Sequence, residues 1–283
     1  MKKARKLIGI ILSLALVIGM LSACGGDAPT GEGGGKQYLR ISCGPSGGFI
    51  YTMFAGISNL VMEDHPDAYD IQLDISTGTS ENARNVITGA AQLSMVGLDV
   101  IKDAYDGTGE FEGMEPEQIL HVMSGPPAIV HIMVPEGSDA KSIEDLVGLR
   151  VGVGMGVMST YLPILFEALG LPTDTTPMTE LSITDMCNGL ADGTIDAGIY
   201  ATPYPTSSIS DLSMTSGLEL IPIPADVVAK VAEKYPFFYE EMIPAGAYNG
   251  VDYDTPTMAR RSAIVAGPDV PDQVVYDFCK TII

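Results

Sequence analysis

Three times along this chain an apolar run leads into a turn of small residues and then into a segment with helical spacing. The turns lie at residues 44–49, 78–80 and 154–160. Repeated strand, short turn and helix predict an α/β fold. In an open α/β sheet a ligand binds beyond the carboxyl ends of the strands. Short connections need glycine and capping residues whatever the function, so one such turn says little. Three of them predict several helix N-termini gathered at one place.

The first unit is the most informative. Residues 39–43 read as a strand. Ile50, Met53, Phe54, Ile57, Leu60 and Val61 share one face at a 3.6 period, so a helix is expected over about 49–62. The turn between them is Gly44-Pro45-Ser46-Gly47-Gly48, whose backbone can approach a ligand without a side chain in the way. The helix start brings unpaired N–H groups and the positive end of the helix dipole. That combination favours an anion or a carbonyl oxygen.

The rest of the chain continues the alternation. Strands are expected at 71–75, 93–96, 119–123, 128–134, 150–153, 197–200 and 262–266, with Gly125-Pro126-Pro127 separating the third and fourth. Helices are expected after Ser80 with Ala83, Val86, Ile87 and Ala90 as buried stripe, then at 99–105, 142–146, 181–190 and 227–234. Another carries Leu162, Leu165, Phe166 and Leu169 and stops at Gly170. The last begins near Asp272 and is still in pattern at Ile283, which implies more chain beyond.

The N-terminus sets the compartment. Lys2, Lys3, Arg5 and Lys6 precede an apolar or small run over 7–20, then Leu21-Ser22-Ala23-Cys24. A basic start, a short apolar core and a small-residue end make a secretory signal. Leu-Ser-Ala before cysteine resembles a bacterial lipobox, which implies cleavage ahead of Cys24 and acylation of its thiol. Residues 25–36 are glycine-rich and read as a flexible tether spanning roughly 20 Å. The expected organisation is therefore a signal over 1–23, a lipidated cysteine and tether over 24–37, and a folded part of about 245 residues forming one large domain or two small lobes.

Charge narrows the partners. The four basic residues of the signal leave with it, so the mature chain is still more acidic than the −21 of the whole sequence. Such a surface repels nucleic acid and anionic lipid. Repulsion of an anionic ligand fades over a Debye length of roughly 8 Å, so a local pocket can still be positive. Cys43, Cys187 and Cys279 are far apart and give no disulfide framework; buried thiols are expected, with a single bridge left open.

Catalytic signatures fare poorly. Gly44-Pro45-Ser46-Gly47-Gly48 fits G-x-S-x-G on a strand–turn–helix, the setting of a hydrolase nucleophile. Only one strand precedes Ser46, however. The histidines are His65 before Pro66, and His121 and His131 within apolar strands. The turn lacks the Lys and Ser/Thr of a P-loop, and there is no H-E-x-x-H or C-x-x-C. Asp192 and Asp196 flank Gly193 and read as a solvated pair. No cofactor and no metal are expected. An exported, tethered α/β chain of this kind points to a binding protein.

Several motifs, in order, resemble the TAXI solute receptors of tripartite ATP-independent periplasmic (TRAP) transporters. Gly44-Pro45-Ser46-Gly47-Gly48 resembles the family's first turn. Thr77-Gly78-Thr79-Ser80-Glu81-Asn82 resembles its second. Asp103-Ala104-Tyr105-Asp106-Gly107-Thr108-Gly109, then 143–151 from Ile143-Glu144-Asp145-Leu146, and Asp192-Gly193-Thr194-Ile195-Asp196-Ala197 follow. The most specific stretch is Ile243-Pro244-Ala245-Gly246-Ala247-Tyr248-Asn249-Gly250. The likeness spans residues 39–279. It implies a type II periplasmic-binding-protein fold, with two α/β lobes joined by crossing hinge segments and closing on a small carboxylate solute. Lobe 1 is expected over 38–132 plus 258–283 and lobe 2 over 133–257, with the crossings near 131–135 and 254–261. A membrane permease is the implied partner and a monomer the implied state.

On that footing, Ser46, Gly47 and Gly48 are expected to supply donors to the solute's carboxylate, Ser80 and Asn82 from the second turn, and Ser159 and Thr160 from the other lobe. Tyr51 and Tyr204 are candidates to pack on it, and Arg84 for a counter-ion or a surface salt bridge. The stretch 243–250 reads as structural. The chain departs from the family pattern at Phe49-Ile50, at Gly97-Leu98-Asp99 and over 154–160, each time losing a polar group or gaining an apolar one. A pocket more apolar than the family norm is implied. The rival readings are an ABC-type binding lipoprotein and a secreted serine hydrolase using Ser46.

Overall fold

Among the described residues, ten strands form one sheet in the order β2-β1-β3-β10-β4-β7-β5-β6, with β8 paired to β4 and β9 to β10. The computed structural model describes residues 35–114 and 119–283. The expected signal, the lipidated Cys24 and nearly all of the tether lie outside the described residues. Residues 37–283 make one compact unit. No helix among the described residues is long and apolar enough to cross a membrane.

The first part is a run of strand–helix units: β1 (Gln37–Ser42), α1 (Phe49–Asp64), β2 (Tyr69–Asp74), α2 (Thr79–Ile87), β3 (Leu93–Gly97) and α3 (Leu98–Asp106). The three strands are parallel, β1 pairing with both neighbours. The spacing of α1 explains its seat: Phe54, Ser58 and Val61 recur at helical intervals and are buried. α2 ends at Ile87, because the chain turns at Gly89 with φ 73°. Ala90 therefore falls outside it and is exposed.

β4 (Leu120–Pro135) and β10 (Thr255–Ala266) are the long strands. The two strands expected around Gly125-Pro126-Pro127 are in fact one. The ladder between β4 and β10 slips between Arg260 and Ser262, opposite residues 125–128. Two prolines, which cannot donate to a ladder, sit where it is already interrupted. β10 also changes its other partner there: residues up to Arg260 pair with β9 (Phe238–Ile243), and Ser262 onward with β3.

Beyond the crossing lie β5 (Val151–Gly154), α4 (Tyr161–Leu169), β6 (Met178–Leu181), α5 (Ile183–Ala191), β7 (Ala197–Thr202), α6 (Ser207–Thr215), β8 (Leu218–Leu220) and α7 (Ala225–Lys234). A 3-10 turn, Gly156–Thr160, leads into α4, which stops at Gly170 with φ 70°. α8 (Asp272–Ile282) returns to pack on α1. Gly246 and Gly250, with φ of 78° and 80°, fix the turns after β9, as the sequence suggested.

The apolar core divides along the same line. One cluster joins residues of β4, β5, β7, α4, α5, α7 and β9. Two others join β1, α1 and α8, and α2, α3 and the end of β10. Cys43, Cys187 and Cys279 are free thiols, the first two buried.

Candidate functional site

The carboxyl ends of β1, β2, β3, β5 and β7 meet at the border between these cores, and a cavity of about 50 Å³ lies among them. Its lining draws on all three predicted turns: Gly44, Pro45 and Gly48 from the first, Gly78 and Thr79 from the second, and Met158 from the third. Residues 200–203, at the end of β7 and just past it, close the opposite side. The lining is mainly apolar, with Phe49, Ile50, Met95 and Tyr200 among the larger groups.

α1 and α2 begin at this cavity. Gly48 and Gly78 are their N-caps, and neither helix start is satisfied by a side chain. Gly48 instead donates its own N–H to the Pro45 carbonyl at 2.9 Å. The uncapped helix starts leave N–H groups and positive dipole ends at the cavity wall.

Among the described residues one charged side chain reaches the cavity, and no sequence pattern singles it out. Arg260 is 1% exposed and lines the wall from the point where β10 changes partner. It forms an ion pair with Asp99, itself buried in the first turn of α3. Its Nη2 lies 3.4 Å from Thr79 Oγ1, and its guanidinium sits 5.9 Å from the Tyr161 ring. Burial opposes the charge, but Asp99 and Tyr161 more than offset this, and the guanidinium's pKa is raised. Arg260 Nε, Asp99 Oδ2 and the Tyr161 hydroxyl are buried and have no hydrogen-bond partner among the described residues.

A side chain cannot be added beneath this arginine. A Cβ on Gly97 would come within 1.6 Å of Arg260 Nη1. Gly97 leaves the room for the guanidinium and Asp99 pairs with it. The signal for Arg260 in the sequence was an arginine among inward residues of an apolar strand, and nothing local names its partner 161 positions away.

The other expected site residues are placed as follows. Gly48 lines the cavity. Ser46 is exposed, and Gly47 accepts a hydrogen bond from Ser208 Oγ at 3.2 Å. Tyr51 packs partly buried in the core of α1 and Tyr204 against the core of the other half. Ser80 is buried one residue beyond Thr79. Asn82 is fully buried and accepts from Ser42 Oγ and Ser76 Oγ at 2.8 and 2.6 Å, so it ties β1 to the second turn. Ser159 and Thr160 hydroxyls donate to the Gly156 and Val157 carbonyls within the 3-10 turn. Arg84 is a surface group paired with Glu110 at 3.7 Å.

The histidines give Ser46 no base. His131 is buried between the Ile129 carbonyl and the Tyr248 hydroxyl. His121 is exposed at the start of β4, and His65 faces Asp277 at 3.7 Å. Asp196 pairs with Arg150, which holds its carboxyl below the usual range.

Solved structures share this architecture at low identity. One described as a periplasmic transporter is 12% identical, covers 90% of this chain and 83% of its own, and superposes with a TM-score of 0.59. An ancestral arginine-binding protein bound to arginine is 11% identical over 87% and 90%, with a TM-score of 0.53. A full-length BenM mutant is 14% identical over 96% and 73%, with a TM-score of 0.52. These likenesses show the fold, which is the α/β periplasmic-binding-protein fold. The NMT1-like family model matches residues 41–283, nearly the whole of the described chain, and the protein belongs to the NMT1-like family.

Proposed function

We propose that this protein is an extracytoplasmic solute receptor that takes a small carboxylate-containing solute between two lobes and delivers it to a membrane permease. The observation that carries the reading is the cavity itself: two uncapped helix starts, the third turn and a buried arginine converge where the two cores meet. Helix starts and a guanidinium both favour an anion.

The lobes in this reading are 38–132 plus 258–283 and 133–257, closing about the crossing strands β4 and β10. Gly48 and the turn at 78–80 hold the charged head, with Ser80 behind Thr79 and Asn82 bracing the turn. Ser46 and Gly47 form the rim that meets the other lobe. Ser159 and Thr160 order the third turn so that Met158 faces the solute, and Tyr51 and Tyr204 support the walls from behind. In this reading the receptor sits on the outer face of the cell membrane, anchored through Cys24, which the signal-like, lipobox-like and tether-like stretches of the sequence support. The ordered motifs favour the TAXI group and a TRAP permease over an ABC partner.

A thermal-shift screen of organic acids and amino acids tests the reading. A binder present at 100 times its dissociation constant adds about 2.7 kcal/mol of stability. Stabilisation by at least one carboxylate is expected. No shift with any of them, together with ester hydrolysis lost in Ser46→Ala, would replace the receptor with a hydrolase. Uptake into proteoliposomes driven by an ion gradient without ATP separates a TRAP permease from an ABC partner.

A further inference from the structure

Among the described residues, Arg260 is the only charged side chain in the cavity lining, and no carboxylate lines it. We propose that the solute is a compact monoanion with an apolar body and no amino group, and that Arg260 selects its charge. This rests on the receptor reading above and narrows it.

The arginine has donors to spare. A guanidinium carries five N–H groups. Here Nη1 is engaged with Asp99 and Nη2 only loosely with Thr79, while Nε has no partner among the described residues. The side chain is already out of water, so a bond from it to an entering anion does not first have to displace solvent. The uncapped starts of α1 and α2 add two more positive ends to the same wall.

The same features reject an ammonium. An α-amino group in this cavity would lie among two helix N-termini and a guanidinium, with no acid in the wall among the described residues. Asp99, the nearest carboxylate to Arg260, lines a neighbouring cleft with Tyr161 and Phe237. A buried charge without a partner is strongly disfavoured.

Size and polarity complete the description. The cavity of about 50 Å³ has room for about four waters, hence for a solute of roughly four to six non-hydrogen atoms. Phe49, Ile50, Met95 and Met158 face its body. A three- or four-carbon monocarboxylate meets these terms.

Asp99 has a defined part in this arrangement. It holds the guanidinium in place over Gly97 but also competes with the solute for it. Removing its charge while keeping its shape should therefore strengthen anion binding.

Calorimetric titration of the purified protein with butyrate, butyramide, 2-aminobutyrate and glutamate tests the proposal. In the wild type, butyrate should bind at least tenfold tighter than butyramide and than either amino acid. In Arg260→Gln the butyrate-to-butyramide ratio should collapse towards one, and in Asp99→Asn butyrate should bind several-fold tighter. Arg260→Lys, which keeps the charge, should retain a preference for the acid over the amide. A purely structural Arg260 would weaken acid and amide alike and leave their ratio unchanged, which overturns its role as selector. Should an amino acid bind as tightly as butyrate, the amine-free class falls while the receptor reading stands. Should none of these compounds nor any acid of the wider screen bind, both fall. If the glutamine variant does not fold, the wild-type ratios and the lysine variant still decide.

Discussion

A side chain at position 97 and the guanidinium of Arg260 cannot share the space they would occupy, since a Cβ on Gly97 would stand 1.6 Å from Arg260 Nη1. The backbone at Gly97 is ordinary, with φ −69° and ψ 146°, so glycine is needed there for room and not for conformation. The end of β3, the partner change in β10 and the first turn of α3 are thereby locked to one buried ion pair.

Gly97→Ala should cost about 3 kcal/mol of stability, through overpacking and loss of the buried pair. Its urea midpoint should fall, with the slope unchanged. Anion binding should fall with it. Gly56→Ala is the control: Gly56 lies exposed inside α1 with open space around it, so alanine there should raise stability by about 0.5–1 kcal/mol.

Gly47 tests closure. A Cβ there would lie 2.3 Å from Thr184 Oγ1 and 3.0 Å from Ser208 Oγ, so the first turn touches the starts of α5 and α6. Gly47→Ala should hold the halves apart and weaken solute binding by about tenfold, equivalent to about 1.4 kcal/mol, with little change in unfolding. Ser208→Ala removes the donor to the Gly47 carbonyl and should weaken binding by a smaller factor. Small-angle scattering with and without solute should show the wild type contracting and Gly47→Ala failing to do so.

His131 predicts a pH dependence. Burial holds its pKa down at about 4, against about 6.5 for an exposed imidazole. Between these values the unfolded chain takes up a proton that the folded chain refuses. Stability is therefore highest above pH 6.5 and falls as pH drops towards 4, by about 3 kcal/mol in all. Denaturant titrations over this range should show the slope, and His131→Gln should flatten it.

Cys43 reports on the cavity from inside. Burial pushes its thiol up to about 12, so at pH 8 only about one molecule in ten thousand is thiolate. Iodoacetamide should modify the half-buried Cys279 first and Cys43 far more slowly. Bound solute should slow Cys43 further, since Cys43 lines the cavity.

The sequence made some of this legible and hid the rest for physical reasons. The turns at Gly44, Gly78 and Gly154 stood out because close backbone approach and helix starts need small residues nearby. The helix stop at Gly170 showed because a left-handed residue favours glycine. Pro126-Pro127 misled, because a strand can carry prolines where its ladder is already broken, and the break lies between the distant Arg260 and Ser262. β6 and the helix α6 carry too few apolar residues to show a period, and in β9 the apolar residues stand as two pairs around Glu240-Glu241 instead of alternating. Arg260 and Asp99 were illegible as a pair, since only the pairing of β10 with β3 brings them together. Asn82 was expected at the solute and instead braces β1, a distinction that depends on which way its amide points.

The structure of the protein with the tightest-binding acid of the screen tests the central claim most directly. A carboxylate within hydrogen-bond reach of Arg260 and of the N–H groups at the start of α1 or α2, with the solute's apolar body against Phe49 and Met158, is the predicted result. A solute bound outside this cavity, or inside it with Arg260 making no contact, would contradict the account.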